Sequence, residues 1–400
     1  MIASSPQLMT SSNTPPGITL AAHDFLWLGE QALYFQKRNA LRNFYSTRVR
    51  PEIEGIYPQF AHSFRMGHYA YRVWQMYLQQ RIGTWGYLQV CRMFDYWLRS
   101  VIEWDTDLLT VLSGLGLNTF HAAKKRGIMT VVDCGSTHTD FQHRIVLEEF
   151  KRNGITKPLF PKAYRDRVRA EFEIADYIQL PSDFVIRTFI ENGVDPKKLL
   201  LAPYGANLDV FKPKSTFDET QPFRVICPSG INVRKGARVL AEAWRKLNWQ
   251  NAELVWLARV TPQNQHFINP PMPGLRIEPG GPHPVLARIY RSCDAFVLPS
   301  FEEGLARVLV EAAACGLPLI VTPNTGAETF FTPGNPEGWL IPVNDVDALC
   351  EALIAAKADR KKTFELGQRA AKRAHAEFSW NNYAKKVEAN YEKILGRKIG

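Results

Sequence analysis

Short apolar runs alternate with longer segments of helical periodicity from about residue 126 to the end of the chain. The runs that are rich in β-branched and other apolar residues, each followed by a helical pattern, are 127–133, 175–182, 223–227, 252–257, 295–298 and 318–321. Continuous apolar runs of this length are typical of strands that are buried on both faces. The alternation of strand and helix therefore predicts α/β domains in which parallel sheets carry helices on both faces.

A polar segment at 211–222, which is bracketed by Pro213 and Pro222, divides this pattern into two. Because open parallel sheets bind ligands outside the carboxyl ends of their strands, two such domains are expected to enclose a central cleft. The aromatic-rich helical stretch at 69–104 does not reveal every strand that precedes it. The predicted organisation is a disordered leader at 1–15, a Rossmann-like doubly wound domain at 16–210, a linker at 211–222, a second Rossmann-like domain at 223–378, and a C-terminal helix at 379–400 that packs back on the first domain.

The composition is that of a globular protein, with 46% hydrophobic and 22% charged residues in a chain of 400. No apolar run approaches the roughly 18 residues that a membrane span needs, and the first residues lack the basic start and apolar core of a secretory signal. The six cysteines are scattered without a close pair, which disfavours a zinc cluster or a disulfide framework. We therefore expect a cytoplasmic protein whose cysteines are buried as small apolar residues.

The formal net charge of +10 indicates an anionic partner. A nucleic acid, an anionic membrane surface and a phosphorylated substrate would each fit, and solvated helix faces are the alternative. Basic residues gather with aromatic residues at 34–50 and again at 162–169. Because no nucleic-acid-binding module is recognisable, we expect no nucleic-acid partner.

The segment 294–312 carries the strongest candidate chemistry. A predicted strand ends at Pro299-Ser300, a loop with a glycine follows, and a helix is predicted from about 305 to 315. The unpaired N–H groups at the start of such a helix suit a diphosphate. Glu303 and Glu311 would lie about 12 Å apart along a helix, so their carboxylates could accept hydroxyl groups on either side of that diphosphate. A capping and a solvated glutamate are the alternative.

The same residues resemble the large family of retaining glycosyltransferases called group 1 or family 4, which have the two-domain GT-B fold. The family signature is matched by Pro299-Ser300, Glu303-Gly304, Glu311-Ala312 and Cys315-Gly316-Leu317-Pro318. Further similar segments are 175–182, 203–213, 325–328, 338–340 and 345–349. The resemblance covers about 120–395. It implies transfer of a sugar from a nucleotide-diphosphate sugar, bound by the second domain, to a hydroxyl of an acceptor on the side of the first domain.

The resemblance also assigns residues of the second domain. It implies that Lys235 and Arg234 stabilise the donor diphosphate beside Gly230, although the arginine that the family carries directly after the first glycine is replaced by Ile231. Glu303 and Gly304 would face the sugar, Glu311 the ribose and Gly280 the nucleobase. Leu305 and Ala306 replace an aromatic residue and a glycine of the family pattern, so the position of the donor sugar could differ from that in the family. The backbone N–H of Ala306 could still donate to the donor.

In the first domain, the resemblance implies that His138 hydrogen-bonds the donor sugar. His143 and Arg144 are alternatives that could face the acceptor, and His23 with Asp24 could also face the cleft, although they lack the glycine pair that many relatives show there. No side chain is a convincing covalent nucleophile. In the family the departing phosphate is thought to accept the proton of the acceptor.

The implied enzyme is a metal-independent, retaining hexosyltransferase of polysaccharide biosynthesis that has no cofactor besides its donor. The sequence contains no Asp-x-Asp or His/Cys cluster in a suitable place for a metal. The acceptor is expected to be a glycan, a glycolipid or a lipid-linked saccharide. The cluster at 37–50 suggests the hypothesis that the first domain approaches the inner face of an anionic membrane. The alternatives are a sugar phosphorylase or epimerase of the same fold, and a degenerate, non-catalytic binding subunit.

Overall fold

Two parallel sheets organise the chain, which the computed structural model describes over residues 15–74 and 84–399. The first sheet has the strand order β3-β2-β1-β4-β5-β6-β7, and every pair of neighbouring strands is parallel. Its strands are β1 (Ile18–Ala22), β2 (Leu41–Ser46), β3 (Ala61–Ser63), β4 (Leu108–Leu112), β5 (Met129–Asp133), β6 (Tyr177–Leu180) and β7 (Leu199–Leu201). Helices α1 (Leu26–Lys37), α2 (Pro51–Glu54), α3 (Arg65–Val73), α4 (Trp85–Val101), α5 (Leu117–Lys124), α6 (Thr139–Arg152), α7 (Lys162–Ile174) and α8 (Asp183–Glu191) connect them.

The second sheet has the order β10-β9-β8-β11-β12-β13 and is also parallel throughout. Its strands are β8 (Phe223–Cys227), β9 (Ala252–Leu257), β10 (Leu275–Glu278), β11 (Ala295–Leu298), β12 (Leu319–Val321) and β13 (Gly338–Leu340). Its helices are α9 (Ala237–Leu247), α10 (His283–Arg291), α11 (Arg307–Ala314), α12 (Ala327–Phe330), α13 (Val346–Ala358) and α14 (Arg360–Glu377). The predicted fold class, two doubly wound α/β domains, is confirmed.

The apolar runs form the strands at the centres of the sheets, because those strands are covered by helices on both faces. In β11 all four residues are buried, and the side chains of neighbouring positions enter two different core clusters, one on each face of the sheet. Strands that the apolar pattern did not reveal include β3, which is only three half-buried residues, and β10, in which charged residues alternate with apolar ones. These strands lie at or near the sheet edges.

The end of the chain lies against the first domain. Helix α15 (Trp380–Leu395) packs beside α1, and the Tyr383 hydroxyl accepts a 2.6 Å hydrogen bond from the Gln31 amide. The side chain of Phe211, at the start of the predicted linker, is fully buried in the core of the second domain. The predicted leader lies outside the described residues except for its last residue.

The two predicted basic clusters do not form two continuous cationic faces. Strand β2 runs through the middle of 34–50 and buries Phe44 and Tyr45, so the basic residues lie at its two opposite ends. At one end Arg38 forms an ion pair with Glu388 at 3.4 Å. In the segment 162–169, Arg167 is buried and contacts Asp95 at 2.6 Å. The hypothesis that the first domain approaches an anionic membrane through the cluster at 37–50 stays a prediction.

All six cysteines are buried free thiols, as the scattered spacing predicted. No helix within the described part of the chain is both long and apolar enough to cross a membrane.

Candidate active site

The loop between β11 and α11 touches the first domain directly. A Cβ atom on Gly304 would lie 2.0 Å from the carbonyl oxygen of Gly135, so only glycine fits this approach. The Ser182 hydroxyl, at the start of α8, donates a 2.7 Å hydrogen bond to the Gly304 carbonyl. Leu305 is buried among side chains of the first domain, including Tyr204. These contacts place the loop at the carboxyl edge of both sheets, where open α/β folds bind their ligands.

Four charged side chains meet at this edge, and we call them the central cluster: Arg234, Lys235, Glu302 and Glu303. The Lys235 ammonium forms an ion pair with the Glu303 carboxylate. The Arg234 guanidinium lies 3.1 Å from a carboxylate oxygen of Glu302 and 3.4 Å from one of Glu303. The two cations belong to a turn at Val233–Lys235, which Asn232 caps and Gly236 ends with a positive φ of 76°. The cluster therefore joins the loops that follow β8 and β11.

The electrostatic state of the central cluster follows from this pairing. Burial raises the pKa of the Glu303 carboxyl, but the charges of Arg234 and Lys235 outweigh it and hold that pKa below its usual value. Burial likewise opposes the charge of Arg234, yet the carboxylates of Glu303 and Glu302 raise the pKa of its guanidinium. The pairing of Glu303 with Arg234 therefore favours the ionised form of both side chains.

Glu302 is the member of the cluster that sequence reasoning missed. Its side chain is fully buried, and it accepts hydrogen bonds from the Thr137 hydroxyl at 2.8 Å and from the Gln142 amide at 3.1 Å. Both donors belong to the first domain, so this carboxylate bridges the domains. Glu302 and Glu303 are neighbours in the sequence, and nothing in the sequence distinguishes the glutamate that bridges the domains from the one predicted to face the donor.

The backbone of the loop differs from the prediction. The N–H of Ala306 donates to the Thr325 carbonyl at 3.1 Å, so it is not available to a donor. The N–H groups of Gly304 and Leu305 have no hydrogen-bond partner among the described residues. Helix α11 begins at Arg307, later than predicted. The distance estimated from eight residues of helix is therefore wrong, because half of that segment is loop.

Glu311 lies one turn into α11 and is half-buried. The Tyr290 hydroxyl lies 3.4 Å from its carboxylate. Burial raises the pKa of the Glu311 carboxyl above its usual value, although the charges of Arg307 and His283 act in the opposite direction. Glu303 and Glu311 thus differ: two cations lower the pKa of the first, and burial raises the pKa of the second.

The glycines predicted to line the donor site lie in open loops. Gly230 follows β8 and Gly280 follows β10, and a Cβ atom at either position would meet no atom closer than 3.6 Å. Both are exposed at the carboxyl edge of the second sheet. Gly280 precedes α10, whose first residue, His283, acts on Glu311.

The histidines of the first domain do not gather at the central cluster. His138 caps α6, where its Nδ1 accepts from the Asp140 N–H at 3.3 Å. Its ring is buried between Phe172 and Phe189, so the predicted contact of His138 with a donor sugar is not supported by its position. It is the neighbouring Thr137 that reaches across the domains. His143 is half-buried and Arg144 is exposed on the same helix, and neither contacts the cluster.

An aromatic cavity of about 400 Å³ lies beside the cluster, at the carboxyl ends of β4 and β5. Its wall includes Thr137 and Gln142, whose other contacts are with Glu302. The aromatic residues of its lining are Trp27, Tyr71, Trp74, Tyr87, Phe160, Tyr164 and Phe172. Such a surface presents flat apolar faces and a few hydroxyl groups to a ligand.

Asp133 ends β5 directly before this cavity. Its carboxylate is buried and accepts hydrogen bonds from the Trp27 indole at 2.7 Å and from the Gln31 amide at 3.0 Å, and also from Gln179. Burial raises its pKa to about 6, and these neutral donors reverse only part of that effect. No group of three or more His, Cys, Asp or Glu side chains within 15–74 and 84–399 is arranged to hold a metal ion.

Comparison with known proteins agrees with this geometry. Residues 222–359 match the family model described as glycosyl transferases group 1. The chain is similar to the putative colanic acid biosynthesis glycosyltransferase WcaL of Escherichia coli K12, with 23% identity over 301 residues, 65% of this chain and 73% of that protein. It is also similar to the D-inositol 3-phosphate glycosyltransferase of Kribbella flavida, with 34% identity over 110 residues, 28% of this chain and 26% of that protein.

A solved structure shares the whole architecture. It is Anabaena Alr3699/HepE in complex with UDP, which has a TM-score of 0.66 and 14% identity, and the match covers 94% of this chain and 100% of that one. The protein therefore has the GT-B fold of glycosyltransferases. The resemblance to group 1 glycosyltransferases that the motifs indicated is confirmed, and it is carried by residues 222–359 and by the fold.

Proposed function

We propose that the protein transfers a sugar, with retention of anomeric configuration, from a nucleotide-diphosphate sugar to a hydroxyl group of an acceptor. The observation that carries the proposal is the meeting of Arg234 and Lys235 with Glu303 at the carboxyl edge of the second sheet. A ligand that is anionic at one end and rich in hydroxyl groups at the other suits this pair of charges. The UDP complex of the Anabaena neighbour supports a nucleotide donor.

Donor binding then proceeds as an exchange of partners. The diphosphate attracts Lys235 and Arg234, and the Glu303 carboxylate turns from the lysine to the hydroxyl groups of the sugar. The unpartnered N–H groups of Gly304 and Leu305 are further donors to the diphosphate. Because these positive groups stabilise the leaving diphosphate electrostatically, the proposed reaction needs no metal ion.

The rest of the donor lies along the same edge. Glu311 accepts the ribose hydroxyl groups, since it is half-buried and, within the described part of the chain, its carboxylate accepts one hydrogen bond, from the Tyr290 hydroxyl. The nucleobase lies against the open loop at Gly280, and Gly230 leaves room for the diphosphate.

The acceptor occupies the aromatic cavity of the first domain. Aromatic faces suit the apolar faces of sugar rings, and Thr137 and Gln142 connect this cavity to Glu302 and the central cluster. The departing phosphate accepts the proton of the acceptor hydroxyl, as the resemblance implies. A glycan, a glycolipid or a lipid-linked saccharide fits this arrangement.

The test is a panel of UDP-, GDP- and ADP-sugars, with binding followed as a rise in melting temperature. A donor that binds only the folded protein raises that temperature. With the stabilising donor, Lys235→Ala is expected to lower kcat by about a hundredfold or more. The matched control is Lys361→Ala, an exposed lysine on α14, which should leave kcat unchanged.

Three outcomes would contradict parts of the proposal. Stabilisation by a donor without any turnover or hydrolysis identifies a non-catalytic binding protein. Loss of activity in EDTA contradicts the metal-independent mechanism. An inverted anomeric signal in the NMR spectrum of the product contradicts retention.

A further inference from the structure

A second charged pocket lies in the first domain, away from the central cluster. It has a volume of about 520 Å³ and lies at the carboxyl ends of β2 and β3, the edge of the sheet that faces the cleft. We call it the basic pocket. Its basic residues are Arg48, Arg50, Arg65, His68 and Arg72, and no Asp or Glu is among the residues that line it.

The positive charge of the basic pocket is mostly uncompensated. Arg50 forms an ion pair with Glu54 at 3.3 Å. Arg48, Arg65 and Arg72 have no ion pair with any carboxylate among the described residues. Several arginine charges around one cavity repel each other and attract an anion. The pKa of His68 reflects this field, since burial lowers it first and the charges of Arg48 and Arg72 lower it further, against the opposing charge of Asp24.

Hydrogen bonds hold the pocket in shape. The Ser63 hydroxyl accepts from the Val49 N–H at 3.0 Å, which fastens the loop after β2 to the end of β3. The Thr47 hydroxyl accepts from the Asp24 N–H at 3.2 Å, which fastens the same loop to the one that follows β1. Asp24 has a positive φ of 67°, a backbone conformation that is costly for a residue with a side chain. The basic pocket is therefore preformed.

The basic pocket adjoins the aromatic cavity through His23 and Tyr71. The two rings lie 4.4 Å apart between their centroids, edge to face. Tyr71 lines the aromatic cavity, while Arg72 beside it lines the basic pocket. The Nε2 atom of His23 is buried and has no hydrogen-bond partner among the described residues. A polar atom of a ligand that spans both cavities would satisfy it.

We propose that the acceptor carries a phosphate or diphosphate group and that the basic pocket binds this group. The inference rests on the proposed function, because it treats the aromatic cavity as the site of the acceptor body. Arginine is the residue that best matches phosphate, since its planar guanidinium donates two parallel hydrogen bonds to neighbouring oxygens. A group with about two negative charges balances the three unpaired arginines better than a single carboxylate would.

Inorganic pyrophosphate is the probe, and its binding is measured by calorimetry at low salt. The wild-type protein is expected to bind it at two sites, the basic pocket and the central cluster. The double variant Arg65→Gln/Arg72→Gln should weaken one site by about tenfold or more and leave the other unchanged. The matched control is Arg92→Gln/Arg99→Gln, which removes the same charge from exposed positions of α4.

The variant Lys235→Ala separates this inference from the proposed function. It should remove the site at the central cluster and keep the one at the basic pocket. If pyrophosphate binds only where Lys235 is required, the inference is overturned and the proposed function stands. If it binds only where Arg65 and Arg72 are required, the proposed donor site fails and the inference stands. Equal weakening by the Arg92/Arg99 control shows a diffuse charge effect and overturns the inference.

Vesicles of phosphatidylcholine with phosphatidylglycerol distinguish the two sources of the phosphate group. Co-sedimentation that is lost in Arg65→Gln/Arg72→Gln but kept in the α4 control assigns the pocket to a phosphate presented at a membrane. Pyrophosphate binding without co-sedimentation assigns it to a soluble phosphorylated saccharide. If Arg65→Gln/Arg72→Gln changes neither measurement, the proposal is wrong.

Discussion

The central cluster and the basic pocket are the two proposed anion-binding sites, and their charge arrangements are opposite. In the central cluster two cations already contact two carboxylates. In the basic pocket, four arginines and a histidine surround a cavity whose lining holds no carboxylate. A paired cluster can release a ligand by closing on itself again, which suits a donor whose product must leave. In a pocket whose arginines are unpaired, the positive charge is neutralised only when an anionic ligand binds, which suits recognition of an acceptor.

The pKa values of two buried carboxylates, Glu303 and Asp133, also depend on whether their partners are charged. Glu303 is buried among cations, and its pKa is lowered. Asp133 is buried among neutral donors, and its pKa is raised to about 6. The partners therefore decide whether a buried acid is ionised, and burial alone does not.

The largest effect on the free energy of unfolding is expected when Glu302 is removed from the central cluster. Glu302→Ala removes the fully buried carboxylate that pairs with Arg234. It also leaves the donors of Thr137 and Gln142 without their acceptor. Removal of one member of a buried ion pair costs about 3 to 5 kcal/mol. Urea unfolding should show a loss of this size in the free energy of unfolding.

The control for this change is Glu351→Ala, an exposed glutamate of α13, which should cost less than about 0.5 kcal/mol. Glu302→Gln keeps a side chain that can accept hydrogen bonds and should lie between the two. A loss in Glu302→Ala no greater than in the control would mean that this carboxylate does not hold the domains together.

The second sheet and its donor loop could be predicted from sequence because their signals are local. A buried strand such as β11 is a continuous apolar run, and the spacing of Glu303 and Glu311 is fixed within one short segment. The resemblance to group 1 glycosyltransferases rested on such local spacings and is confirmed.

The basic pocket and the bridging role of Glu302 could not be predicted, because they depend on contacts between distant segments. Arg48 and Arg72 lie 24 positions apart and meet only because β2 and β3 are neighbours in the sheet. In the same way, the contact of Glu302 with Thr137 joins two domains across 165 positions. For the converse reason, the segment 37–50 is one cluster in the sequence but not in the fold, because β2 separates its two ends.

The pH dependence of stability tests the contrast between Asp133 and Glu303. For an acid whose folded-state pKa is raised from 3.8 to about 6, the folded state binds its proton more tightly than the unfolded state. The wild type should therefore lose about 2.4 kcal/mol of stability relative to Asp133→Asn as the pH rises from about 4 to 7. The cost of the substitution itself does not vary with pH.

The matched control is Asp209→Asn, an exposed aspartate in the segment that joins the domains. Its stability difference from the wild type should stay flat over the same range. A flat difference for Asp133→Asn as well would mean that the pKa of this carboxyl is the same in the folded and unfolded states, so that its hydrogen-bond donors offset the whole effect of burial.

The pH dependence of donor affinity tests the contrast between Glu311 and Glu303. Burial raises the pKa of Glu311, so this carboxylate is the first of the two to become protonated as the pH falls, and the affinity for the nucleotide should fall with it. Glu311→Gln should weaken binding about tenfold at neutral pH and flatten the profile. Protonation of the nucleotide affects both proteins equally. The control is Glu365→Gln, an exposed position on α14, and a profile unchanged in Glu311→Gln would remove Glu311 from the donor site.

The smallest effect is expected at an exposed ion pair that also joins the two domains. Arg187 of α8 pairs with Glu328 of α12, and 49% and 34% of their side chains are exposed. Solvent screens such a pair, so Arg187→Ala should lower the free energy of unfolding by less than about 1 kcal/mol. The effect should shrink further at high salt, whereas that of Glu302→Ala should persist, because buried charges are screened much less. A double-mutant cycle with Glu328→Ala isolates the pair from other contacts of the two side chains. If the exposed pair proved as costly to break as the buried one, the position of a charge pair between the domains, rather than its burial, would set its contribution.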